Sequence, residues 1–140
     1  MNPRLGARPL SLPPATYSGI QRRGIMYERK VAQAVSQSLG MDAFLIHGQW
    51  IYVNGTFCQP DIIVIQDRGP RLVLEVKLTR KGGVERKLRE VYGPLVQTLW
   101  GGDIAYAQVY RNMDGRDPDH IGLESLPALK PLSYCEIMWR

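Results

Sequence analysis

Residues 59–77 read QPDIIVIQDRGPRLVLEVK, two apolar runs joined by a short turn, and the second run decides the fold. LVLEVKL is a buried strand in every respect except that a Glu and a Lys interrupt it two residues apart. Strand alternation sends Leu72, Leu74, Val76 and Leu78 to one face and Val73, Glu75 and Lys77 to the other. The two charges are therefore neighbours on one face. Desolvating either is expensive unless it is paired or binds something. The preceding run opens with an acid of its own, Asp61, and Pro60 before it fixes the entry to that strand without needing a ladder N–H.

Outward from this pair, residues 43–53 (AFLIHGQWIYV) read as a strand before it, so that 43–53, 61–65 and 71–78 form a meander of consecutive antiparallel strands. The connections NGTFCQP and QDRGP are turn-like, with Asn54-Gly55 a strong hairpin signal. Upstream, IMYERKVAQAVSQSLG is an amphipathic helix ended by Gly40, with Glu28, Ala32, Val35 and Leu39 on one stripe. Glu28 thus stands at the N-terminal end of a face that packs on the core, an odd place for a carboxylate. Downstream, Val84, Leu88, Tyr92, Leu95 and Leu99 repeat at helical spacing, broken or kinked near Gly93-Pro94, and residues 104–113 read as a fourth strand. The first 20 residues, with Pro3, Pro9, Pro13 and Pro14, are expected to be an extended arm. Residues 21–140 are expected to form a single domain, with a core over 21–113 and an irregular extension over 114–140 that holds at most a short strand in SYCEIMW. Helix, three strands, helix, strand is an α/β order.

The bulk composition narrows the class. A chain of 140 residues, 44% hydrophobic and 22% charged, is long enough for one core and too apolar for a disordered tail. Cys58 and Cys135 lie far apart with no CxxC spacing, which offers neither a disulfide framework nor a zinc site and makes a reducing cytoplasm the expected location. No apolar run approaches a membrane span, and the N-terminus has arginines but no apolar signal core. Charge is unevenly placed: residues 1–30 carry six Lys/Arg against one acid and residues 68–89 carry eight against two, while 31–67 have three acids and no Lys/Arg. Two basic segments suit a phosphate-bearing polymer, although such runs are also ordinary solvated faces.

The acids suggest chemistry. Carboxylates from two paired strands, Asp61 and Glu75, with the Val76 carbonyl and waters, suit a hard octahedral cation such as Mg²⁺. Lys77 beside them has the charge to steady an attacking hydroxide or a pentacovalent phosphate. Glu28 adds a third carboxylate or a water-mediated contact. His47 and His120 are not spaced as a metal pair and read as structural or surface residues, and no nucleophile-elbow sequence supports a Ser/His/Asp hydrolase. Trp50, Trp100 and Trp139 read as core or lining, with Trp50 and Tyr52 as a base-stacking alternative.

PD at 60–61, thirteen residues, then EVK at 75–77, following a helix with a Glu, resembles the PD-(D/E)XK nuclease superfamily over roughly residues 20–110. The resemblance implies a restriction-endonuclease-like core with a central mixed four-stranded sheet flanked by helices. It implies Asp61 and Glu75 as ligands of Mg²⁺, with Mn²⁺ substituting, Lys77 as the catalytic lysine, and Glu28 as the first-helix acid. It also implies a polar residue from the second helix, for which Tyr92 and Gln97 are candidates. The implied reaction is hydrolysis of a DNA phosphodiester. The backbone would be held by Arg22 and Arg23 before the first helix and by Arg80, Lys81, Arg86, Lys87 and Arg89 after the lysine strand. The segment is similar to small junction-resolving nucleases and to phage-encoded nucleases, which points to recombination, repair or phage DNA processing and to a homodimer with two sites. A non-catalytic DNA-binding or assembly module on the same fold, and a nuclease acting on RNA, are the competing expectations. No membrane or small-molecule partner is expected.

Overall fold

The computed structural model describes residues 1–13, 16–111 and 122–140. The charged strand is where the sequence puts it. Arg71–Lys77 (β6) pairs antiparallel with Ile62–Gln66 (β5), which pairs antiparallel with Ala43–His47 (β2). On its other edge β6 takes Ile104–Tyr110 (β7) in parallel, and β7 takes Tyr134–Met138 (β8) in parallel. The result is a mixed five-stranded sheet in the order β2-β5-β6-β7-β8. Five strands replace the expected four, because the short run in the C-terminal extension adds itself to the free edge of β7.

The expected single strand over 43–53 is two. Gly48, at φ 67°, takes a left-handed turn that L-side chains resist. The chain beyond it, Trp50–Val53 (β3), leaves the main sheet and pairs with Thr56–Cys58 (β4) through the Asn54-Gly55 turn. The proline-rich arm is not simply extended either. Arg4–Gly6 (β1) pairs with β3, so a second, three-stranded sheet β1-β3-β4 stands beside the first. Its hairpin is rooted between His47 and Asp61, and the Gln59 amide donates to the Gly48 carbonyl at 2.8 Å across that root.

Gly19–Ser38 (α1) starts earlier than the periodicity indicates, because Ser18 and Gln21 form a reciprocal capping box. Tyr27, Val31, Ala32 and Val35 of α1 lie buried against Ile62, Val64, Leu72, Leu74 and Ala107 on one face of the sheet. The opposite face, with Ile63, Val73 and Tyr106, is covered by Val84, Leu88, Tyr92 and Val96 of the second helical segment. That segment runs without a break as Val84–Lys87 (α2), a π-helical turn Leu88–Tyr92, and Gly93–Trp100 (α3). Pro94 has no N–H to give and its ring crowds the turn before it. The helix absorbs this by slipping register rather than breaking, with the Gly93 N–H reaching back five residues to the Leu88 carbonyl. A 3₁₀ turn, Leu123–Ala128, precedes β8 and buries Leu123 and Leu126 under α1. Among the described residues no helix is long and apolar enough to cross a membrane.

Candidate active site

Ile62 pairs with Leu74, so Asp61, one step before, stands across from Glu75 on the neighbouring strand. Both belong to the sheet face under the second helical segment. The parallel register continues the row, Glu75 to Gln108 and Gln108 to Glu136. Four polar residues thus cross four strands of an otherwise apolar sheet. Glu75 is 2% exposed and Gln108 is fully buried.

Each carboxylate has specific partners. Asp61 Oδ2 accepts the Val76 N–H at 2.8 Å, and the Asp61 carbonyl accepts from Gly48 N at 3.0 Å, which locks the entry to β5. Glu75 Oε2 faces two ammonium groups, Lys77 Nζ at 3.3 Å and Lys87 Nζ at 3.6 Å. Glu28 reaches over the end of the sheet from α1, hydrogen-bonds the Asp61 carboxyl, and meets His47 Nε2 at 2.6 Å. Three carboxylates, two lysines and a histidine are gathered at the root of the small sheet.

The electrostatics record crowding. Burial, then the neighbouring Glu28 charge, pushes the Asp61 carboxyl up to about 6, against the opposing pull of the Val76 N–H and Lys77. Burial, then the charge of Asp61, also raises Glu75, with Lys77 and Lys87 opposing. Burial works against the Lys87 ammonium, but the Tyr92 hydroxyl and Glu75 outweigh it and hold the group above its usual range. Lys77 and Lys87 oppose that rise in Glu75 without cancelling it.

A Mg²⁺ ion here would draw on few protein ligands. Among the described residues no three or more His, Cys, Asp or Glu side chains form a group able to hold a metal ion. The protein would supply only two carboxylates, Asp61 and Glu75, and a main-chain oxygen. Mg²⁺ keeps several of its waters and is commonly held by one or two carboxylates. A strand residue's N–H and C=O face the same neighbour, so the Val76 carbonyl looks toward the Asp61 end of β5, as its N–H does.

Of the second-helix candidates, Tyr92 is at the site, its ring 4.9 Å from Lys87 Nζ. Gln97 is not. It is exposed on the far side of α3 and donates to the Gly102 carbonyl at 3.1 Å. The expected phosphate contacts divide. Arg22 and Arg23 lie within α1, not before it, and are exposed. Arg80 is ion-paired to Glu136 at 2.7 Å, Arg86 to Glu90 at 3.0 Å and Arg89 to Glu85 at 2.9 Å. Arg89 also covers the Tyr106 ring and donates to the Leu132 carbonyl. Lys81 is exposed, while its main chain is clasped by the Gln108 amide, which accepts its N–H at 2.8 Å and donates to its carbonyl at 2.9 Å. Lys87 Nζ lies 3.6 Å from Glu75 Oε2, on the same carboxylate as Lys77.

Sequence reasoning missed His47, Gln108, Tyr134 and Glu136. Tyr134 donates to Glu136 at 2.7 Å, and burial raises its own hydroxyl to about 12. Gln108 carried the same signal that exposed Glu75, a polar residue inside an apolar run (IAYAQVY). His47 had none, because its link to Glu28 spans 19 residues and two elements. His120 lies outside the described residues. Trp100, the last residue of α3, packs against the cluster on that face of the sheet, and Trp139 packs under α1. Trp50 and Tyr52 share the outer face of the small sheet with Phe57, at ring separations of 5.6 and 6.2 Å. Comparison of the chain with protein-family models, curated proteins and solved structures finds no match.

Proposed function

We propose that the chain is a Mg²⁺-dependent DNA nuclease with a PD-(D/E)XK site on a restriction-endonuclease-like core, cutting by structure or without sequence preference. One observation carries the reading. Asp61 and Glu75 oppose each other on paired strands at the end of β5, with Lys77 Nζ 3.3 Å from Glu75. A buried Glu flanked by two lysines and facing a second acid is a costly arrangement for a fold to keep as decoration.

Asp61, Glu75 and the Val76 carbonyl would hold the cation. When bound, it would polarise a phosphate oxygen and acidify a water. Val76 N–H holds the Asp61 carboxylate in one orientation, and Glu75 fixes Lys77 so that its remaining N–H donors meet charge developing on the phosphate. Lys87, set by Tyr92 and Glu75, supplies a second ammonium on the same side. Glu28, tied to His47, keeps a third carboxylate at the mouth for a water. Action in recombination, repair or phage DNA processing, and pairing of two copies to cut two strands, are extensions of this proposal.

The test is incubation with supercoiled plasmid, single-stranded DNA, RNA and a four-way junction, in Mg²⁺, Mn²⁺ or EDTA. The expected result is metal-dependent cleavage of DNA abolished by Asp61→Ala and Lys77→Ala, with binding retained in Lys77→Ala. Binding without cleavage in every metal condition replaces the enzyme with a DNA-binding module on the same fold.

A further inference from the structure

The hairpin β3–β4 has two faces of different character. Ile51 and Cys58 pair across it and turn inward. Ile51 is fully buried, and Cys58 packs against the cluster on the sheet face that carries Asp61 and Glu75. Trp50, Tyr52 and Phe57 turn the other way. The Phe57 ring stands 5.6 Å from Trp50 and 6.2 Å from Tyr52, and the residue is 37% exposed. Large rings gathered on one outward face mark an interaction surface, where a lone exposed ring does not.

This face is held in place and flanked by cations. Tyr52 Oη donates to the Ala7 carbonyl at 2.6 Å, and its ring lies so close over Gly6 that a Cβ there would come 2.8 Å from Cδ2. Arg4, opposite Tyr52 in the β1–β3 register, sets its guanidinium 5.4 Å from the ring centre. Arg8 donates to the Leu12 and Pro13 carbonyls. Neither arginine meets a carboxylate within 4 Å among the described residues. Both border a groove of about 700 Å³ between the N-terminal arm and the hairpin, which Tyr52 and Phe57 also line. Rings with cations beside them form a surface on which unpaired bases stack while their phosphates meet charge. Continuous duplex offers no such bases, because each is already covered by its neighbours.

The hairpin is also joined to the candidate site. It leaves the main sheet after His47 and returns at Asp61. Its root is closed by Gly48 N–H to the Asp61 carbonyl at 3.0 Å and by the Gln59 amide to the Gly48 carbonyl at 2.8 Å. Trp50 is the ring nearest that root, and Tyr52, paired with Phe57 and Arg4, lies further out. The rings lead along the hairpin toward the carboxylate at its base.

We infer that the outer face of the small sheet is a stacking platform for an unpaired segment of DNA, which it presents to the site at its root. The inference rests on the nuclease reading above and names the substrate class: DNA with unpaired bases beside the cleaved bond, rather than continuous duplex.

The experiment measures fluorescence anisotropy of labelled oligothymidylate and of a labelled duplex of equal length. Lys77→Ala is the non-cleaving parent, and Phe57→Ala, Phe57→Tyr and Trp50→Phe are made within it, with circular dichroism to check each fold. Phe57→Ala is expected to lower affinity for the single strand by about fivefold or more, the scale of losing one base–ring stack, and to change duplex affinity less than twofold. Phe57→Tyr keeps the ring and should keep the parental affinity. Single-strand binding should quench tryptophan fluorescence in the parent, and less so in Trp50→Phe. Equal single-strand affinity in the parent and Phe57→Ala overturns the inference, as does an equal loss with both probes or an equal loss in Phe57→Tyr. Equal quenching in the parent and Trp50→Phe overturns it whether or not Phe57→Ala folds. Conversion of a dimer to a monomer by Phe57→Ala in sedimentation, with single-strand affinity unchanged, overturns it in favour of a second copy of the chain on this face. In each of these cases metal-dependent cleavage by the wild type leaves the nuclease reading intact. No cleavage by the wild type in any metal, with ring-dependent single-strand binding, removes that reading and keeps the platform.

Discussion

Asp61 holds the Val76 N–H at 2.8 Å while standing across the strand pair from Glu75, so the residue that orients one carboxylate sits next to the other. The arrangement sets two acids against each other in a buried place, and its cost is measurable in the metal-free protein. The Asp61 carboxyl is raised from 3.8 to about 6, chiefly by burial and by Glu28. A raised carboxyl favours the protonated fold: its contribution is fully present below about pH 4 and is lost as pH rises through about 6. Asp61→Asn keeps an acceptor for Val76 N–H without the charge. After allowing for partial exposure, the variant should be about 1–2 kcal/mol more stable than wild type at pH 8 without metal, and no more stable at pH 4. Thermal denaturation in EDTA at the two pH values checks this.

Lys87 separates a site role from a charge role. Held by Glu75 and Tyr92, it should contribute to the reaction rather than to general affinity. Lys87→Ala is expected to lower kcat by about ten- to a hundredfold, the scale of losing one charge-stabilising donor. The Kd for DNA should change less than twofold. A loss confined to Kd would return Lys87 to the phosphate contacts.

Gln108 is fully buried and spends its amide on both main-chain groups of Lys81. Gln108→Leu matches its bulk but strands those groups and removes a neighbour of Glu136. A destabilisation of about 2–3 kcal/mol is expected from the unsatisfied groups, read from urea denaturation. Gln108→Glu should be worse still, since it adds a carboxylate beside Glu75 and Glu136.

Gly93 inverts a helix rule. Alanine is ordinarily better than glycine inside a helix by about 1 kcal/mol. Here a Cβ would strike the Tyr106 hydroxyl and lie 2.9 Å from its ring and 3.0 Å from the Leu88 carbonyl. Gly93→Ala should therefore destabilise the protein by about 1–3 kcal/mol, and Tyr106→Phe in the same chain should recover part of the loss. Stabilisation by Gly93→Ala would mean that the π-helical turn does not press on β7.

The elements legible in the sequence were those whose pattern is local. The charged strand, the strand before it and both helical segments follow from period-2 and period-3.6 spacing. So does the shared face of Glu75 and Lys77. What escaped was set by contacts between distant segments. Gly48 breaks an apolar run that reads as one strand, because the hairpin beyond it finds a partner in Arg4–Gly6, more than 40 residues upstream. The fifth strand is short, so its pattern is weak until β7 offers it an edge. The slip at Pro94 was visible as a conflict, but whether a helix breaks or bulges depends on what it packs against. In the site, Asp61, Glu75 and Lys77 were legible from type and spacing. His47, and the division of the arginines into paired and unpaired sets, required knowing which side chains meet.

Calorimetric titration of the protein with Mn²⁺ at pH 7.5 shows whether Asp61 and Glu75 together hold one divalent cation. A single binding event is expected in the wild-type protein, lost in both Asp61→Ala and Glu75→Ala and retained in Gln97→Ala. Equal Mn²⁺ binding by wild type and both carboxylate variants, or none by the wild type with nucleic acid present, would contradict it.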